Sequence, residues 1–211
     1  MKKILLGLVV VLAILVGVIA TRPANFHIER TATIAAPADV VYAQINNFHQ
    51  WAAWSPWDKL DPQMKRTFEG PAAGSGAGYS WVGNDKVGEG RMTITDSKAN
   101  EKVTIKLEFI KPFAATDTTE FAFRPSGSNT AVTWSMTGEN NFMAKAMSLV
   151  MNMEKMIGPD FEKGLASIKE ISEAEAKKGA AAQAAPPVIT PTAAIAPVPT
   201  AAAPSPAPRH R

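Results

Sequence analysis

The chain has 211 residues, 46% hydrophobic and 19% charged, with a net charge of +3 and no cysteine. Thiol catalysis, disulfides and cysteine metal sites are therefore excluded. Residues 24–178 hold 17 Lys and Arg against 19 Asp and Glu, and Lys2, Lys3, Arg22, Arg209 and Arg211 supply the excess at the two ends. The central part lacks the basic patch that nucleic acid binding needs, and no nucleic acid partner is expected.

Residues 4–20 carry no charge and are almost wholly aliphatic. As a helix they span about 26 Å, enough for a bilayer core. Lys2 and Lys3 precede them and only Arg22 follows closely, which places the N-terminus in the cytoplasm and the remainder outside the inner membrane. The expectation is a single-pass anchor over residues 1–23. A signal peptide cleaved after Val18-Ile-Ala20 is the alternative, although the run is longer than an h-region of about 7–15 residues.

Residues 24–172 contain all five Trp and all nine Phe, and suit one domain with its own core. Phe26–Ile34 alternates apolar and polar residues, as a strand does. Pro37 and Asp39 open a helix with apolar spacing at Val40, Val41, Ile45 and Phe48. Trp51, Trp54 and Trp57 follow within seven residues, too much aromatic surface to leave in water. They form either a packed corner or the wall of an apolar cavity.

Six strands are expected next: Met64–Phe68, Tyr79–Val82, Gly90–Asp96, Lys102–Ile110, Thr116–Arg124 and Asn129–Thr137. The turn at Gly83-Asn84 joins the second to the third as a hairpin. A long helix is predicted from Phe142 to Ile171, with Met147, Met151, Glu154, Ile157, Phe161, Leu165 and Ile168 on one stripe. A kink is expected at Gly158-Pro159. The fold class is α+β, with a curved antiparallel sheet of about seven strands wrapped around a long C-terminal helix. Residues 173–211, rich in Ala and Pro, are expected to form a disordered tail.

The element order and five stretches resemble the START-like superfamily in its SRPBCC, polyketide cyclase/dehydrase branch. These are Ile34-Ala-Ala-Pro-Ala-Asp-Val-Val-Tyr42, Trp51-Ala-Ala-Trp-Ser-Pro-Trp57, Asp61-Pro-Gln-Met-Lys65, Gly83-Asn84 with Val87-Gly-Glu-Gly90, and Asp160-Phe-Glu-Lys-Gly-Leu165. The combination is similar to membrane-anchored bacterial members. The resemblance covers residues 26–171 and implies a helix-grip fold with a hydrophobic ligand cavity under the long helix. It carries no shared catalytic set, so no catalytic residue is assigned.

Strand alternation points Met92, Ile105, Leu107, Phe109, Phe121, Phe123, Trp134 and Met136 toward that helix. Met147 and Met151 are expected to close the space as a soft lid, with Trp54, Trp57, Tyr79 and Trp81 at one end. All of these residues also have a plain reading as core. Glu154 lies on the apolar stripe, where an inward carboxylate would need a partner such as Arg91 or Arg124. A solvated Glu154 is the favoured reading. The Gly70, Gly74, Gly76, Gly78 stretch precedes a strand, so it reads as an inter-strand loop that could gate a cavity mouth. His27 and His49 have no partners at metal-ligand spacing, and no metal or cofactor is expected.

Three functions remain open at this level. The leading one is a membrane-anchored, non-catalytic binding domain for a lipid or other apolar small molecule. The second is a cyclase, dehydratase or hydrolase using inward carboxylates or Tyr79. The third is an envelope protein-interaction module using the tail.

Overall fold

A computed structural model describes residues 1–184 of the chain. Helix α1 (Lys2–Ala20) is followed by strand β1 (Asn25–Ile34) and helix α2 (Ala38–Asn46). A connection of three short turns, with α3 (Trp51–Trp54) in its middle, leads into six strands. These are β2 (Lys65–Glu69), β3 (Gly78–Val82), β4 (Glu89–Lys98), β5 (Lys102–Lys111), β6 (Ala115–Ser126) and β7 (Asn129–Glu139). Helices α4 (Phe142–Met147) and α5 (Met153–Ala184) complete it.

The seven strands form one curved antiparallel sheet in the order β1-β7-β6-β5-β4-β3-β2. The period-two pattern sorts the faces as expected. Along β6, Asp117, Thr119, Phe121 and Phe123 are buried, and along β7, Thr130, Val132, Trp134 and Met136. Helix α5 packs on β1 and β7 and against α2 and α3. Its buried stripe is Phe161, Leu165 and Ile168, flanked by half-buried Ile157 and Ile171. The architecture is the helix-grip arrangement.

The sheet register defines two ends. At one end Asn25 pairs with Glu139, Phe109 with Ala115, and Glu89 with Val82. At the other, Ile34 pairs with Thr130, Ser126 with Asn129, and Lys98 with Lys102. Helix α5 starts near the first end and runs toward the second. Glu154 meets Arg30 of β1, while Glu173 accepts the backbone N–H of Ala35 beyond β1.

Two expectations change. The long helix is broken at residues 148–152, so Met147 lies on a separate short helix and Met151 in the gap. Helix α5 then passes through Pro159 without interruption. Pro159 is exposed, and Gly158 lets the helix lie against β1. A Cβ there would stand 2.1 Å from the Arg30 guanidinium. The helix also extends to Ala184. The first twelve residues of the expected tail are thus helical, because Ala, Glu and Lys favour helix over 173–184. Residues 185–211 lie outside the described residues.

Candidate ligand cavity

The Trp cluster turns out to be both corner and wall. Trp54 is fully buried, donates its indole N–H to the Gln44 carbonyl at 3.0 Å, and stands edge-on to Trp134 and Phe121. Trp51 donates to the Ile45 carbonyl at 2.9 Å. These bonds satisfy the polar tips and lock the connection onto α2. Trp51 and half-buried Trp57 each present part of a ring to an interior space.

That space is an apolar cavity of about 250 Å³ between the sheet and α5. Trp51, Trp57, Tyr79, Trp81, Met92, Leu107, Phe109, Trp134, Met136, Ile157 and Phe161 build its walls, with Ser55, Asp58, Met64, Val87 and Thr119. Trp134 stacks on Phe161 at 4.1 Å and 7° between ring planes, which joins the sheet to α5 at the cavity's deep side. Gly90 makes room for Trp81, since a Cβ there would sit 2.4 Å from the indole ring. Trp81 in turn donates to the Val87 carbonyl at 3.0 Å.

Asp61 holds the hairpin that carries Val87. Its carboxylate accepts the Gln63 N–H at 3.0 Å and the Asn84 N–H at 2.7 Å. The Asp61–Lys65 and Gly83-Asn84 motifs are therefore one structural clasp.

The structure gathers eight of the expected cavity residues, Trp57, Tyr79, Trp81, Met92, Leu107, Phe109, Trp134 and Met136, around this space. Trp54, Ile105, Phe121 and Phe123 also point inward, but they fill solid core, because α2 and α3 cover the sheet there. Phe121 packs against Trp51, Trp54 and Trp134, and Phe123 against Tyr42. Met147 and Met151 do not line the cavity, because the break at 148–152 takes them off the α5 stripe. Ile157 and Phe161 occupy that role.

Glu154 is solvated. Its carboxylate takes a hydrogen bond from Arg30 at 2.7 Å, and Glu162 takes a second at 2.7 Å. Arg91 pairs instead with Glu69. The Gly70–Gly78 loop is tied to Asn46 and Ile94 and contributes nothing to the cavity wall.

The expected cavity set left out Trp51, Ser55, Asp58, Met64, Val87, Thr119, Ile157 and Phe161. Thr119 was legible from alternation with Phe121. Asp58 was not, because its meaning depends on Arg66, whose Nε donates to it at 2.7 Å. This ion pair and Tyr79 make a polar corner. Burial, reinforced by the Asp58 carboxylate, pushes the Tyr79 phenol up to about 12. Tyr79 is therefore a hydrogen-bond donor at neutral pH and a poor base. The Trp134 indole N–H is buried and meets no acceptor among the described residues.

The described residues thus form an α+β helix-grip domain with a largely apolar cavity between sheet and helix. The profile of the family described as Polyketide cyclase / dehydrase and lipid transport matches residues 25–173, and the chain belongs to that family. No curated protein matches the sequence.

Solved structures share the fold at low identity. A protein from Chromobacterium violaceum is 11% identical with a TM-score of 0.52, covering 70% of this chain and 96% of its own. Aha1 from Colwellia psychrerythraea, a dimer, is 14% identical with a TM-score of 0.51, covering 70% and 96%. The di-domain ARO/CYC StfQ from the steffimycin biosynthetic pathway is 12% identical with a TM-score of 0.53. That match covers 73% of this chain and 52% of StfQ.

Proposed function

We propose that the protein is a membrane-anchored binding domain for a hydrophobic small molecule carrying at least one hydrogen-bond acceptor. The observation that carries this is the apolar cavity with the Tyr79 hydroxyl, a donor at neutral pH, in its polar corner. A ligand oxygen accepting from Tyr79 would add a hydrogen bond worth about 0.5–1.5 kcal/mol to the apolar burial. At about 250 Å³ the space is just below the ~300–1,000 Å³ usual for small-molecule sites. It suits a compact ligand or one apolar arm of a larger one.

The donor character of Tyr79 and the Asp58–Arg66 pair supports orientation of a polar group more than proton abstraction. Helix α1 supports the anchor. It is the one helix among the described residues long and apolar enough to cross a membrane by length and composition. Its aliphatic side chains are exposed along most of its length. With Lys2 and Lys3 on the cytoplasmic side, the domain would sit outside the inner membrane.

The test is titration of the full chain, in nanodiscs, with the neutral fluorophore 1-aminoanthracene. Parent protein should take up the probe saturably. Leu107→Trp should plug the cavity and abolish uptake while leaving the Tm within a few degrees. No saturable uptake by the parent, together with a clear Tm loss in Leu107→Trp, would mean a filled core, where overpacking costs roughly 1–3 kcal/mol.

A further inference from the structure

We propose that the first end of the sheet is a membrane-docking face, which holds the cavity mouth against the same bilayer that α1 crosses. The inference rests on reading α1 as an anchor, and places ligand entry from the lipid phase rather than from water.

The tether is short. Four residues separate Ala20 from Asn25, so the reach between the two elements is at most about 18 Å at ~3.5 Å per step. That link is pinned down as well. Asn140 donates its backbone N–H to the Ala24 carbonyl at 2.7 Å and its side chain to the Pro23 carbonyl at 3.2 Å. Helix α1 rests on α4, and Ile19 is its one buried residue. A domain held this way cannot swing its far end to the bilayer.

The same end is apolar where it faces out. Beyond α1, eleven large apolar side chains are more than a third exposed, and all but Leu60 and Phe68 lie at this end. Phe113 is 63% exposed, Met143 59% and Val150 86%. They come from the β5–β6 turn and from the α4–α5 region that follows β7, separate in sequence and at the same end of the sheet. Apolar exposure gathered at one end of the sheet in this way marks an interaction site. Its occupant follows from continuity with α1, since a plane of lipid begins where that helix emerges.

Charges here are of both signs, with Lys111 paired to Glu89, so insertion would be apolar rather than driven by anionic headgroups. The half-buried cavity residues Val87, Phe109 and Ile157 stand at this end, whereas Trp134 and Phe161 are buried. Docking would therefore bring the mouth to the lipid.

The absence of cysteine allows clean single-site labelling of the full chain. Nitroxides at Phe113→Cys, Val150→Cys, Leu12→Cys and, at the opposite end, Ser128→Cys would be compared in phosphatidylcholine vesicles by oxygen and nickel-chelate accessibility. The expected result is oxygen-rich, nickel-poor behaviour at positions 12, 113 and 150, and the reverse at 128. Position 12 in lipid with 113 and 150 matching 128 would overturn docking and leave the anchor standing. Position 12 in water would remove the anchor and docking together. Positions 113 and 150 shielded from both reagents would indicate a protein contact, which also overturns the proposal.

Discussion

The two ends of the sheet obey the same alternation and reach opposite outcomes. At the second end Ile34, Val41, Ile45 and Phe121 are essentially inaccessible, because α2, α3 and the α5 stripe close over them. At the first end Phe109 and Leu107 point inward in the same way, yet they meet empty space. Inward-facing strand residues are thus necessary for a cavity and do not distinguish it from core. The helices decide: α2, α3 and the α5 stripe fill the second end, while at the first a space remains beneath Ile157 and Phe161 of α5.

The sharpest way to break this contrast is to truncate one aromatic side chain at each end. Trp54→Ala at the closed end should cost about 3–5 kcal/mol, the range for large-to-small changes in a rigid core. Chemical denaturation at pH 7 would measure it. A loss below about 1 kcal/mol would mean that the closed end is as loosely packed as the open one.

Asp117 offers a smaller test, on the inner face at the open end. Burial raises its carboxyl from 3.8 to about 6. A raised folded-state value means that its contribution to stability is fully present below about pH 3.8 and is lost as pH rises through about 6. Asp117→Asn should therefore flatten the pH dependence between those limits. It should stabilise the domain at pH 7 by up to about 3 kcal/mol, at ~1.4 kcal/mol per pKa unit. An unchanged pH profile of Tm would show that the carboxylate is solvated.

Much of this was legible in advance, for identifiable reasons. The strands were readable because Val103, Ile105, Leu107 and Phe109 alternate cleanly, and the resemblance supplied their order. The break at 148–152 was not, because Met147, Met151 and Glu154 continue the helical spacing of Ile157 and Phe161. Spacing alone does not register that the Asn141 and Asn152 side-chain oxygens accept the backbone N–H groups of Ala144 and Lys155, each at a new helix start. Four inward residues, Trp54, Ile105, Phe121 and Phe123, were indistinguishable from cavity wall for a related reason. Whether a helix covers them is set by contacts from α2 and α3, remote in sequence.

Weaker effects sharpen the polar side of the contrast. Tyr79→Phe should leave naphthalene binding unchanged and reduce 1-naphthol binding by about two- to tenfold, consistent with one hydrogen bond worth ~0.5–1.5 kcal/mol. Equal losses for both probes would mean that Tyr79 only packs. Smallest of all, Phe113→Ser at the open end should change stability by less than about 0.5 kcal/mol, because nothing is buried against an exposed ring. A loss approaching that of Trp54→Ala would show that Phe113 belongs to the core.

The most direct test of a ligand-filled cavity is native mass spectrometry of the full chain, purified from its own host in nanodiscs. The expected spectrum carries a discrete small-molecule adduct that is released on activation and is missing from Leu107→Trp purified in parallel. The bare protein mass in both samples, or an identical adduct in both, would contradict binding in the cavity between the sheet and α5.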